Sequence, residues 1–334
     1  MKFQDLIDNR EESAKRARQR VSTVCNTFEN RKSGSEQEAQ TSAFLKDQLQ
    51  NVCEVKQEFF DVYPEAYSGV FYIVPTFALL ATVAYFFTAM VSLALALVGI
   101  VVFVVQFLTN SHALDLLYPK KQSSNLTAVL PCKRQAEKRV YFVANVDATR
   151  EWTLIVGYVS LAFVLFYIAT YFAINKSKVV SGANENMSGC ALAIELLQSI
   201  KDSGVELDHT EVGVILTGSG AVGACGAREW CQKHSDEDKA KTVFVCLNTL
   251  KEVDSLGVNT REGNGIVKND VALADFVGSC AQDVEVPFKK RKLPFGHTDS
   301  AEFSKRGFSS VSVTGYNPHT PEYLHTRYDT VDNV

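Results

Sequence analysis

Between Ala66 and Asn110 the chain carries no charged side chain, and Phe71 to Thr109 is almost wholly apolar. A helix rises ~1.5 Å per residue and needs ~20 residues to cross a bilayer core, so this one run holds two spans. A second uncharged run, Trp152 to Asn175, is long enough for a third. Runs this long and this free of charge predict membrane insertion rather than buried core helices. Trp152, Tyr167 and Tyr171 suit an aromatic belt, and Lys176 and Lys178 suit a cytoplasmic flank. The expectation is an integral protein of the cell membrane with its polar domain in the cytoplasm. Parity complicates it. Two crossings followed by one would put residues 176–334 on the opposite side from residues 112–151, unless the last apolar run re-enters or lies at the interface, the first run does not make a clean hairpin, or the polar parts are separate domains.

The remaining sequence is polar. Its 34 basic and 38 acidic residues give a net charge of −4, which offers no whole-chain bias towards nucleic acid. The eight cysteines are scattered with no C-x-x-C, which reads as reduced, cytosol-facing thiols. The first twenty residues lack an apolar core and do not read as a signal peptide.

Local patterns order the polar parts. Ser33 to Glu36 precedes an amphipathic run through Ala39, Phe44, Leu45 and Leu49, a capped helix. Val52–Tyr63, Asn125–Leu130 and Arg139–Asn145 read as strands, and Asn186–Ile200 as a helix with Leu192, Leu196 and Leu197 inward. Val212–Leu216 and Val243–Leu247 are short continuous apolar runs of the kind that form central strands covered on both faces. Ser309–Thr314 reads as a last strand, and the basic run Lys289–Lys292 as a solvated loop that a lipid headgroup would suit. This alternation predicts a three-layer α/β/α domain with a mixed sheet, interrupted by transmembrane helices. Its pieces are 1–66, 112–151 and 176–334, and the membrane segments are 67–111 and 152–175.

One motif poses a functional question. Gly218-Ser219-Gly220-Ala221-Val222-Gly223 is a G-x-G-x-x-G turn between a strand and a helix, the setting in which backbone N–H groups cradle a pyrophosphate. A dinucleotide site also needs an acid ~20 residues on, at the end of the next strand. That strand ends in Leu247-Asn248-Thr249, without one.

Several segments, in order, resemble the M28 metallopeptidases, the co-catalytic zinc aminopeptidases. They are GSEQEAQTSAFLKDQL, SSNLTAVLP, VANVDATREW, SGANENMSGCALAIELL, LTGSGAVGACGAREW, FGHTDSAEFSKRGFSSV and YLHTRYDTVDN. The likeness is greatest to membrane-embedded bacterial members. It implies a zinc-peptidase-like fold and two zinc ions held by histidines and carboxylates, with a free glutamate as general base. Carried over position by position, the first histidine is Asn145, followed by Asp147. The bridging aspartate is Glu185, the base is Gly220, the adjacent glutamate is Ala221 and the second aspartate is Asn248. Only His325 is unchanged.

The resemblance therefore implies a pseudopeptidase: fold kept, base lost, no cofactor, with membrane lipid and peptide as partners and no nucleic acid. Two alternatives stand beside it. One is an active or altered aminopeptidase with zinc on Asp147, Glu185 and His325, helped by His297 in Gly-His-Thr-Asp299. The other is a nucleotide-binding protein using the glycine turn.

Overall fold

The computed structural model describes residues 9–109, 111–150, 178–293, 296–316 and 323–334. The apolar run 152–175 lies outside the described residues. The chain divides into two compact units, one made of residues 1–60, 122–149 and 180–334, the other of 61–121 and 150–179.

The first unit is built on a nine-stranded mixed sheet. Its strands are β1 (Val55–Val62), β2 (Lys121–Leu130), β3 (Lys138–Asn145), β4 (Thr210–Thr217), β5 (Thr242–Leu250), β6 (Leu256–Glu262), β7 (Val267–Lys268), β8 (Lys289–Lys292) and β9 (Ser309–Gly315). They run in the order β1-β2-β4-β3-β5-β9-β6-β7, with β8 beside β6. The centre β4-β3-β5-β9 is parallel, and β2 and β6 close it antiparallel on either side.

Alternation along the central strands separates two cores, because successive side chains of a strand point to opposite faces. Ala144 of β3, Val212, Val214 and Leu216 of β4, and Val245 and Leu247 of β5 face one way. They pack against α1 (Arg10–Thr27), α2 (Glu36–Gln50), α5 (Ser188–Asp202) and α7 (Val271–Asp283). Tyr141 and Val143, Ile215, and Phe244 and Cys246 face the other way. They meet α6 (Cys225–Lys233) and α8 (Asp299–Lys305), where Phe244 and Phe303 stack at 3.8 Å. The architecture is the three-layer α/β/α sandwich with a mixed sheet.

Two local readings change. Lys289–Lys292 is not a loop but β8, an edge strand parallel to β6. Lysines suit such an edge, because they discourage pairing with another chain. On α5, Leu192 and Leu196 are only half-buried, and Cys190, Ala191, Ile194 and Leu197 make the inner face.

In the second unit α3 (Pro64–Tyr85) and α4 (Ala89–Val102) form an antiparallel pair around Val70, Phe71 and Val74, joined by Phe86, Phe87 and Thr88. Apolar helices 64–85 and 89–106 have mean hydropathies of 1.6 and 2.6 and are long enough to cross a membrane.

The sheet also joins residues from both sides of the second apolar run. Strands β2 and β3, before the second apolar run, pair with β4 and β5, after it. Val180 N donates to Thr149 O at 3.1 Å, and Arg150 bridges Val179.

Candidate functional site

The parallel strands β3, β4 and β5 end side by side, and their carboxyl ends carry the residues singled out in the sequence. In an open α/β sheet this is the edge where ligands bind, because loops diverge there. Asn145 is the last residue of β3 and pairs in register with Thr217, the last of β4. The glycine turn follows at once.

Every N–H at the start of that turn is taken by an internal acceptor. Gly218 N donates to Asn125 Oδ1 at 3.2 Å and Ser219 N to Glu38 Oε1 at 2.6 Å. Gly220 N and Ala221 N donate to the two oxygens of Asp147 at 2.6 and 2.9 Å. Those oxygens also accept from Ser33 Oγ at 2.5 Å and Asn145 Nδ2 at 3.2 Å. Two buried carboxylates thus occupy the place a pyrophosphate would need, which argues against the nucleotide reading.

Gly220 stands against Asn145. A Cβ added there would lie 2.8 Å from Asn145 Cγ and nearer still to its Cβ. Asn145 cannot swing aside freely. Its Nδ2 also reaches Asp147 O at 3.2 Å, and its Oδ1 accepts from Asn186 Nδ2 at 3.1 Å. Asn186 in turn ties β3 to β5, donating to Leu247 O and accepting from Thr249 N.

Glu185 lies in the turn before α5 and faces His325, with Oε2 at 3.5 Å from Nδ1. That oxygen has no hydrogen-bond partner among the described residues. The two neighbouring N–H groups, of Asn184 and Glu185, donate to Asp329 at 2.6 and 3.2 Å. Burial, then Asp329 and Asp147, push the Glu185 carboxyl well above the ordinary range. Burial pushes His325 down to about 4. Both shifts disfavour the charged forms, so the contact is not a strong ion pair. Asn248 is engaged locally, accepting from Thr249 Oγ1 at 2.8 Å.

The structure therefore gathers Asn145, Asp147, Gly220 and Ala221 in one hydrogen-bonded cluster and sets Glu185 against His325. A zinc pair needs several deprotonated N, O or S donors. The amides at 145 and 248, glycine at 220 and the methyl group at 221 do not supply them, and Asp147 already accepts four donors. Asp299, next to His297 in sequence but one, accepts from Thr217 Oγ1 at 2.6 Å, and burial raises it to about 7. Among the described residues no group of three or more His, Cys, Asp or Glu is placed to hold a metal ion. These residues do not fit a co-catalytic zinc pair.

Three residues of the site were not singled out in the sequence. Glu38 is buried. It accepts from Ser219 N, from Gly34 N at 2.6 Å and from Ser123 Oγ at 3.0 Å, and burial with the Asp147 charge lifts it to about 8. Its signal was the S-x-x-E spacing from Ser35, a capping pattern. Fully buried Arg31 donates to the carbonyls of Val146, Gly182 and Phe28 and so pins both site loops. Asp329, which holds the Glu185 turn, lies within the H-T-x-x-D-T segment.

The sequence profile described as Peptidase family M28 matches residues 125–334. No curated protein matched. Among solved structures, BSAP, a zinc aminopeptidase from Bacillus subtilis, superposes with a TM-score of 0.64 at 13% identity, covering 96% of this chain and 90% of that chain. A glutaminyl cyclase from an Acidobacteriales bacterium gives 0.60 at 14% identity, covering 96% and 88%. A Zn-dependent exopeptidase from Parabacteroides distasonis gives 0.61 at 13%, covering 96% and 91%.

Proposed function

The chain belongs to peptidase family M28, and we propose that it is a membrane-anchored member that does not hydrolyse peptides and whose strand-end loops serve to bind a peptide or partner. The observation that carries this reading is the packing of Gly220 against Asn145. The position where the family has its general base holds no side chain and has no room for one. Without a base there is no group to take the proton of an attacking water. Without zinc the pKa of that water is not lowered either.

The test is metal analysis of the purified full chain together with turnover of aminoacyl reporters and of peptides with N-terminal glutamine, the latter because two structural neighbours are glutaminyl cyclases. We expect neither retained zinc nor turnover. Two equivalents of zinc with hydrolysis or cyclisation would overturn the reading.

Membrane anchoring rests on the two apolar helices. At 22 residues, Pro64–Tyr85 is about 33 Å long, enough for a bilayer core. Lys120, Lys121 and Lys178 flank the excursions, whereas the turn at Phe86-Phe87-Thr88 has no charge. This asymmetry favours a cytoplasmic polar domain and a hairpin whose tip lies at the far face. Carbonate extraction and protease protection of a tag at residue 1 test it. Release of the protein by carbonate would refute the anchor.

A further inference from the structure

A groove of about 310 Å³ on the sheet-bearing unit is lined by none of the strand-end residues of the candidate site. Arg16, Gln19, Arg20 and Thr23 line it from α1, and Phe44 and Gln48 from α2. The four α1 positions follow the i, i+3, i+4, i+7 spacing of one helix face, which on a packed helix is normally apolar. Here it is polar, and no carboxylate is among the six lining residues.

Behind the groove lies Glu195 of α5, a buried acid. Arg16 Nε donates to its Oε1 at 2.7 Å, Arg16 Nη2 pairs with the same oxygen, and Arg20 Nη1 lies 3.3 Å from Oε2. One carboxylate thus holds two guanidinium groups in fixed orientation. The nearest other acid, Glu12, reaches Arg16 at 3.3 Å but is largely exposed, so solvent screens it. Arg20 is mostly buried, and its Nε meets no acceptor among the described residues.

We propose that this groove binds a monocarboxylate bearing an apolar arm, the carboxylate on the Arg16–Arg20 pair and the arm along Phe44. The lining presents two guanidinium groups and no carboxylate, which suits an anion. A guanidinium presents parallel N–H donors that fit the two oxygens of a carboxylate. The groove is near the lower end of the ~300–1,000 Å³ typical of ligand sites, so the ligand is small or is the end of a longer chain. Two sources share this chemistry: a free aryl or alkyl carboxylate, and the C-terminus of a peptide. The inference does not depend on whether the chain hydrolyses peptides.

Calorimetric titration of the full chain in neutral detergent tests it with 3-phenylpropionate, 3-phenylpropionamide, acetyl-Gly-Phe and its C-terminal amide. We expect each acid to bind at least 10-fold more tightly than its amide, and the tighter of the two acids to identify the source. Arg20→Gln leaves Glu195 short of a partner and is apt to unfold the unit. Gln48→Glu, which places a repelling charge on the rim and leaves the Arg–Glu195 pairs intact, is therefore the decisive variant. It should weaken the acids at least 10-fold without lowering Tm. Equal binding of acid and amide, absence of binding by both acids, or undiminished binding to Gln48→Glu overturns the proposal.

Discussion

Replacing Gly220 by alanine tests the packing argument with a single methyl group. The added Cβ would sit 2.8 Å from Asn145 Cγ, well short of the ~3.5 Å at which carbon atoms rest. Either the turn must shift or Asn145 must leave its hydrogen bonds to Asp147 and Asn186. Overpacking of this kind costs about 1–3 kcal/mol, and each hydrogen bond given up about 1 kcal/mol. An expected loss of about 2–3 kcal/mol corresponds to a fall in Tm of about 4–12 °C for a unit of this size. The assay is thermal unfolding with urea pulse proteolysis on Gly220→Ala, Asn145→Gly and the double variant. Glycine is needed at 145 because the nearest clashing atom is the Asn145 Cβ itself. The double variant should be at least 1 kcal/mol more stable than the two single losses together imply. A Gly220→Ala Tm unchanged from the parent, or a coupling within about 0.5 kcal/mol of zero, would refute the reasoning. Gly220→Glu should then fail to restore hydrolysis for the same reason.

Asp147→Asn turns an acceptor of two backbone N–H bonds into a mixed donor and acceptor; it should cost about 1–3 kcal/mol and speed hydrogen exchange at the Gly220 and Ala221 amides. Arg31→Met leaves three carbonyls without their donor and should cost about 2–4 kcal/mol, read in the same unfolding assay. His325, depressed to about 4, contributes stability that is present above its ordinary 6.5 and lost as pH falls through 4, so His325→Asn should flatten Tm between pH 6.5 and 4. Glu38, raised to about 8, works in the opposite sense. Its contribution is complete below pH 4.5 and lost as pH rises through 8, and Glu38→Gln should lower Tm overall yet flatten it across that window.

The strands were legible because each is a short apolar run whose period or continuity is local, and observed β3, β4, β5 and β9 differ from the read ranges by a few residues at most. β6 and the short edge strands β7 and β8 were not, since their residues are of mixed polarity and become strands only by pairing, β6 with β9 and the other two with β6. The site shows the same division. Gly220, Ala221 and Asn145 were legible as departures from the resembling motifs because they fall inside ordered segments. Their mutual contact was not, because it joins positions far apart in sequence across two strand ends. Glu38 lies in a capping spacing after Ser35, and only folding brings its carboxyl group to the N–H of Ser219.

The sequence by itself determined where the chain is apolar, where the central strands lie, and which metal-binding side chains the strand-end loops lack, because hydropathy period and residue chemistry are properties of neighbours along the chain. Tertiary structure alone decided that the glycine turn serves internal carboxylates instead of a phosphate, and that Asp147 accepts four donors. It alone decided that residues on both sides of the second apolar run share one sheet. Hydrogen bonds and exclusion act through space, so a motif's meaning depends on what the fold sets opposite it.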